Sequence, residues 1–189
     1  MSGIVGLVTR GGEPVKRLEL EGMLTSLAHR GPDGTGVWCE GPAGLGHLML
    51  WTTPESLLER LPLVSPGGHL VLTADARIDN RADLIRTLAL GGRPAEALTD
   101  SHLILAAYEK WGERCPEHLL GDFAFALWDA RQHRLFCARD HMGVKPLYYY
   151  KSPRLFACAS ELKALFYLPE VPRRVNDMRV VDHLIEACA

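Results

Sequence analysis

Cysteine and histidine are the side chains best suited to thiol and metal chemistry, and their spacing here argues against the commonest uses of both. The five cysteines (Cys39, Cys115, Cys137, Cys158 and Cys188) form an odd set with no Cys-x-x-Cys pair. Neither a disulfide framework nor a zinc site is expected from such a set. Cys137 and Cys158 sit in Leu-Phe-Cys-Ala and Phe-Ala-Cys-Ala, the setting of small buried apolar thiols. The eight histidines are scattered without His-Glu-x-x-His or similar ligand spacing, and no metal is expected. Lys145-Pro146 after Gly143 reads as a turn between strands with the lysine at the surface, and Arg139-Asp140 as a buried or turn-fixing pair. Phe123, Phe125 and Leu127 alternate as one face of a strand does, which assigns them to the core rather than to a ligand.

The chain that must position these groups has 189 residues, 47% apolar, with 21 basic and 23 acidic side chains and a formal charge of −2. That is enough chain for one globular domain to bury a core without metals or disulfides. A near-neutral balance without a long Lys/Arg cluster gives no electrostatic footprint for nucleic acid or an acidic bilayer, so neither partner is expected. No apolar run approaches the roughly 20 residues of a membrane span. The N-terminus has no basic leader before its apolar stretch, so a signal peptide is not expected and a cytoplasmic location is.

Ile4-Val5-Gly6-Leu7-Val8 reads as a strand buried on both faces. Leu20, Met23, Leu24, Leu27 and Ala28 then follow the spacing of an amphipathic helix, broken at His29-Arg30-Gly31-Pro32-Asp33-Gly34. Short strands are expected around 36–39, 45–51 and 70–74. Asn80 begins a short helix carrying Leu84, Ile85 and Leu88, and Thr99 or Asp100 caps another that carries Leu103, Ile104, Ala106, Ala107 and Trp111 and stops at Gly112. Strands return at 123–129, 135–138, 147–150 and 155–159. A helix over about 161–167, a Pro-rich link and an Asn176-capped helix with Met178, Val181, Ile185 and Cys188 on one face complete the chain. Strands, then helices, then strands, without βαβ alternation, predict an α+β fold.

Five stretches carry a more specific signal: Ser2-Gly-Ile-Val-Gly6, His29-Arg-Gly-Pro-Asp-Gly34, Gly121-Asp-Phe-Ala-Phe-Ala-Leu-Trp-Asp129, Ala138-Arg-Asp-His-Met-Gly-Val-Lys-Pro-Leu-Tyr-Tyr149 and Ala159-Ser-Glu-Leu-Lys-Ala-Leu165. In order and spacing, across nearly the whole chain, they resemble the class II glutamine amidotransferase domain at the N-terminus of asparagine synthetases. The resemblance implies an N-terminal nucleophile hydrolase fold, a four-layer αββα sandwich of two antiparallel sheets between helices. It also implies a nucleophile immediately after the initiator Met, which attacks the glutamine side-chain amide while its own α-amine handles the proton. A free α-amine, with pKa about 7.7–8.0, is a competent base at neutral pH.

At that position the family has Cys and this chain has Ser2, a weaker nucleophile than a thiol. Other departures accompany it. The family's carboxylate-binding Arg in Gly-His-x-Arg-Leu corresponds to Met49 in Gly46-His-Leu-Met-Leu50. Its Asn-Gly-Glu-Ile-Tyr-Asn, which supplies the oxyanion hole, corresponds to Asp75-Ala-Arg-Ile-Asp-Asn80. Ala76 keeps the backbone donor, but an ionised Asp75 only accepts hydrogen bonds, and Arg77 reverses the charge beside the substrate ammonium. Asp100 matches the acidic ligand of that ammonium, and His102 replaces a Glu. Arg30 either reaches this pocket or pairs with Asp33. The resemblance thus implies a degenerate amidotransferase domain, similar in its departures to β-lactam synthetases and lasso-peptide macrolactam cyclases. The alternative is a working glutaminase with Ser2 as nucleophile.

By resemblance, residues 1–168 form the amidotransferase-like domain. Residues 169–189 form the link and first helix toward an ATP-pyrophosphatase synthetase domain, whose Ser-Gly-Gly-x-Asp-Ser phosphate loop is absent from these residues. The expected partners are that C-terminal domain, glutamine and a second copy in a homodimer. No cofactor is expected in this domain, with ATP and Mg²⁺ assigned to the second.

Overall fold

The computed structural model describes residues 1–92, 94 and 97–187. The opening apolar run forms β1 (Gly3–Thr9), which has strands on both edges and buried side chains on both faces. One edge takes β3 (Ala43–Met49), with Ile4 opposite His47, and β3 forms a hairpin with β2 (Gly34–Glu40). The other edge takes β9 (Leu155–Ala159), which pairs in turn with β8 (Tyr148–Lys151). The first sheet therefore runs β2-β3-β1-β9-β8, all antiparallel. A second antiparallel sheet runs β4 (Leu63–Val64), β5 (Leu70–Ile78), β6 (Gly121–Asp129) and β7 (Arg134–Arg139).

Each sheet buries one face against helices and the other against its partner. Leu20, Met23 and Leu24 of α1 (Arg17–Ser26) join Val5, Leu7 and Leu48 of the first sheet in one core, with Leu165 of α4 (Leu162–Leu165). Leu84 of α2 (Arg81–Thr87) and Leu103, Ile104 and Ala107 of α3 (Asp100–Trp111) join Leu72, Phe123, Phe125 and Leu127 of the second sheet. Ala43, Leu45, Val71, Ala126, Trp128 and Cys158 form the layer between the sheets. This is the expected α+β sandwich of two antiparallel sheets between helices. Full burial of each Leu or Phe contributes roughly 1.5–3 kcal/mol, so these three layers supply the core.

The structure adjusts several sequence readings. Helix α1 ends before Ala28, which is exposed. Asn80 precedes α2 but does not cap it with its side chain. Its amide accepts from Leu120 N–H and donates to the His118 carbonyl, both at 3.0 Å, and so ties α2 to the entry of β6. Thr99 caps α3 through a capping box with His102. Strand β5 runs on through Ile78, so Asp75 to Arg77 lie on a strand. Helix α4 spans only Leu162–Leu165 of the expected 161–167. Asn176 accepts from Arg179 N–H at 3.2 Å before α5 (Asp177–Ala187), whose Met178, Val181 and Ile185 are exposed. Cys188, assigned to that face, lies outside the described residues. The thiols of Cys137 and Cys158 meet at 3.8 Å between the sheets, Cys158 fully buried and Cys137 partly so.

Candidate active site

Ser2 enters β1 with only 6% of its surface exposed. Its hydroxyl accepts from Leu50 N–H at 3.0 Å and faces the Met49 sulfur at 4.0 Å, while its carbonyl accepts from Arg30 Nε at 2.9 Å. A thioether is a weak acceptor, so the hydroxyl proton has no base among these contacts. Arg30 gets there because α1 stops at Leu27 and the chain turns, with Arg30 N–H bonding to the Leu27 carbonyl at 2.8 Å. Gly31 follows, where a Cβ would stand 2.4 Å from the Leu48 carbonyl carbon, so only glycine lets the turn lie this close to β3.

Strand alternation on β5 sends Ala74 and Ile78 toward α2 and α3, and Val71, Thr73 and Asp75 toward the first sheet. Asp75 is buried at the end of that inner row. Its Oδ1 accepts from Lys145 Nζ at 3.0 Å, and its Oδ2 faces Arg30 Nη2 at 3.7 Å, each of these last two atoms otherwise unpartnered. Arg30 Nη1 in turn donates to Glu161 Oε1 at 2.8 Å, and Glu161 is also held by His29 at 2.9 Å and Lys163 at 3.2 Å. Burial works against ionised Glu161, but the hydrogen bonds from Arg30, His29 and Lys163 outweigh it and hold the carboxyl at about 2. Alternating charges thus run from the cleft to the surface. Arg30 faces Asp75 behind the cleft rather than pairing with Asp33, whose Oδ2 accepts from Trp51 N–H at 2.9 Å.

Lys145 corrects its turn-and-surface reading: its side chain is only 15% exposed, and it lines the cleft. Asp140 makes this possible by accepting from Val144 N–H at 2.9 Å, Lys145 N–H at 3.0 Å and Phe123 N–H at 3.3 Å, which fixes the turn. The turn-fixing reading of Asp140 holds. Nothing local in the sequence links Lys145 to Asp75, 70 residues away.

Asp100 lines the same cleft but is already engaged. It pairs with Arg81 and accepts from Ile78 N–H at 3.3 Å. Burial pushes its carboxyl up to about 6, aided by the Glu59 charge and opposed by Arg81 and the Ile78 N–H. Glu59 is itself buried and accepts from Ser101 N–H at 3.0 Å and Ser101 Oγ at 2.7 Å, at the first turn of α3. Arg81 and Glu59 were not singled out in the sequence.

The structure therefore gathers Ser2, Asp75, Ala76 and Asp100 around one cleft, sets Arg30 behind it against the Ser2 carbonyl and Asp75, and leaves Arg77 out of it. Arg77 projects from the end of β5 into solvent, where its Nε meets Asp79 Oδ1 at 3.0 Å and its Nη2 faces Asp122 at 3.7 Å. Water and two carboxylates hold it better there than a buried position beside Arg30 and Lys145 would. With Met1 among its lining residues, the cleft encloses about 70 Å³, below the roughly 300 Å³ at which ordinary small-molecule sites begin. Among the described residues no group of three or more His, Cys, Asp or Glu is placed to hold a metal ion, and no helix is long and apolar enough to cross a membrane.

Two antiparallel sheets between helices, with the second residue held at the head of the central strand, are the arrangement of the N-terminal nucleophile hydrolase fold. Residues 1–189 match the model of the glutamine amidotransferase domain, and the chain belongs to that family. It is 34% identical over 178 residues to the glutamine-hydrolysing asparagine synthetase 3 of Bacillus subtilis, covering 93% of this chain and 29% of that protein. It is 32% identical to a putative glutamine-hydrolysing asparagine synthetase 2 of Methanocaldococcus jannaschii, covering 93% of this chain and 37% of the relative. The fold matches the glutamine phosphoribosylpyrophosphate amidotransferase of B. subtilis with a TM-score of 0.70 at 19% identity, over 87% of this chain and 43% of that one. The chain thus spans 29% and 37% of the lengths of these two relatives, less than two fifths of either.

Proposed function

We propose that this is the amidotransferase-like domain of an ATP-dependent, asparagine synthetase-like amide-forming enzyme, and that the domain no longer hydrolyses glutamine and serves as a structural and interface module. The observation that carries this reading is that the cleft's carboxylates are engaged by other side chains of the chain itself and that Asp75 stands where the family has an oxyanion donor. Lys145 and Arg30 hold Asp75, Arg81 holds Asp100, and Met49 stands against the Ser2 hydroxyl. An oxyanion would meet the Asp75 carboxylate instead of an amide donor, and loss of one such donor costs roughly 100- to 1000-fold in rate. Loss of a charge-assisted hydrogen bond to the substrate costs about 1.5–3 kcal/mol more.

In this reading residues 169–189 lead toward the synthetase domain, and the departures resemble those of enzymes such as β-lactam synthetases and lasso-peptide macrolactam cyclases, which close amides without ammonia from glutamine. ATP and Mg²⁺ belong to that second domain: the phosphate loop is absent from these residues, and the buried carboxylates of the cleft are held by Lys145, Arg30 and Arg81 rather than free for a cation. The test is glutamate release from glutamine by the full-length protein, with N-terminal sequencing to establish whether Ser2 is exposed by Met1 removal. Release at background level is expected. Turnover that disappears in Ser2→Ala would overturn the reading in favour of an active Ser2 glutaminase.

A further inference from the structure

Cys137 and Cys158 come from different sheets and meet in the layer between them. Strand alternation on β7 turns Phe136 and Ala138 toward α2 and α3, and Leu135 and Cys137 toward the first sheet. On β9, Cys158 stands opposite Gly6 of β1 and is fully buried. A Cβ at Gly6 would lie 2.8 Å from the Cys158 sulfur, so the bare glycine leaves the room in which that thiol lies. The two sulfurs are 3.8 Å apart and share a hydrogen bond. The other described thiols stand apart. Cys39 Sγ donates to the Val15 carbonyl at 3.1 Å, and Cys115 sits in the core between the second sheet and its helices, where burial pushes it up to about 12.

The pair is asymmetric. Strand β7 is the outer strand of its sheet, and Cys137 on it is half-buried. Strand β9 lies between β1 and β8, and its Cys158 is closed off from solvent. The hydrogen bond with Cys137 and burial together push the Cys158 thiol well above the usual thiol range. Cys158 therefore keeps its proton, and a reagent arriving from solvent meets Cys137 first.

We propose that Cys137 and Cys158 form a redox modification site, at which a peroxide closes a disulfide between the two sheets. Hydrogen peroxide oxidises the Cys137 thiol to a sulfenic acid: an S–O bond forms, the O–O bond breaks, and one water leaves. The Cys158 sulfur then attacks the Cys137 sulfur. The S–S bond forms, the S–O bond breaks, and the departing hydroxyl takes the Cys158 proton as a second water. Two thiols give up two electrons and the peroxide accepts them. From 3.8 Å the sulfurs close by about 1.8 Å to reach the S–S length of about 2.05 Å. As an outer strand, β7 has only one neighbouring strand to resist that approach. A dithiol reductant reverses the bond. Neither cysteine lines the Ser2 cleft, so the proposal stands whether or not Ser2 is active.

The test is peptide mapping of the full-length protein. The folded protein is treated with a small molar excess of hydrogen peroxide, freed of peroxide with catalase, then alkylated in denaturant with iodoacetamide in the presence of dimedone, which captures any remaining sulfenic acid. Trypsin cleavage after Arg134, Arg139, Arg154 and Lys163 leaves Leu135–Arg139 and Leu155–Lys163 with one cysteine each. These two peptides are recovered joined, about 2 Da lighter than their sum because two hydrogens are lost. Their alkylated forms fall in equal amount, and dithiothreitol restores both. Cys137→Ser, a change at the half-buried position, yields no joined peptide and leaves Cys158 alkylated in full. Recovery of both wild-type peptides fully alkylated would show that peroxide does not reach Cys137. Cys137 recovered as a dimedone adduct or a sulfinic acid, beside an alkylated Cys158, would show that the sulfurs do not close. Either result overturns the proposal.

Discussion

Asp75 is the residue on which the site turns. A buried carboxylate is tolerated only when paired, and here Lys145 at 3.0 Å supplies the hydrogen bond while Arg30 at 3.7 Å supplies charge without one. Lys145→Met should therefore cost about 3–5 kcal/mol in urea unfolding, the range for breaking a buried pair by removing one partner. The double variant Asp75→Asn/Lys145→Met should lie closer to wild type than Lys145→Met alone, since no uncompensated carboxylate is then left. Glu161, at the outer end of the same row of charges, makes a prediction in pH. Its folded pKa of about 2 lies below its unfolded value of about 4.3. Its contribution is therefore fully present above the unfolded value and is lost as pH falls toward about 2. Chemical denaturation of Glu161→Gln across that window should show a shallower loss of stability than wild type. Equal slopes would mean that Arg30, His29 and Lys163 do not favour the ionised form.

The elements show how such residues are brought together, and how far the sequence announces it. Local signals were sufficient for β1, α1, α3 and the strands from Phe123 onward, because period-2 and helical spacing, Thr99 and Gly112 all act within a few residues. Ser2, Asp75, Ala76 and Asp100 were legible as a group through motif order. Lys145, Arg81 and Glu59 were not, because what calls for them is a charge buried by tertiary packing, and their partners lie 70, 19 and 42 residues away. Arg77 was misplaced for the converse reason: motif register assigns a position along β5 but does not reveal that the strand's end opens to solvent. The turn after β7 joins local and long-range order, since Asp140 fixes its backbone and thereby aims Lys145. Asp140→Ala leaves the Val144, Lys145 and Phe123 N–H groups without their shared acceptor. We expect a loss of about 1–3 kcal/mol in denaturant unfolding, together with non-additivity when it is combined with Lys145→Met, because both changes act on the same pair.

At the scale of the whole molecule, the domain retains the sandwich of its family while the cleft at the head of β1 is closed by its own charges. The fold's stability draws on three apolar layers that do not depend on a working cleft. Substitutions at Ser2, Met49 and Asp75 can therefore accumulate without loss of the scaffold, provided each buried charge acquires a partner, as Asp75 has in Lys145. On the proposed reading, the parent enzyme takes its nitrogen from elsewhere, either as free ammonia or as an amine of the substrate itself. This yields a prediction on the full-length protein, for which AMP and pyrophosphate release is measured with candidate acyl substrates. Where an acyl substrate supports turnover, adding an ammonium salt or a primary amine should sustain amide formation, and replacing it with glutamine should not. Glutamine that sustains amide formation as well as ammonium does would require a functional glutaminase at Ser2, despite Asp75 and Met49, and would return the domain to a catalytic role.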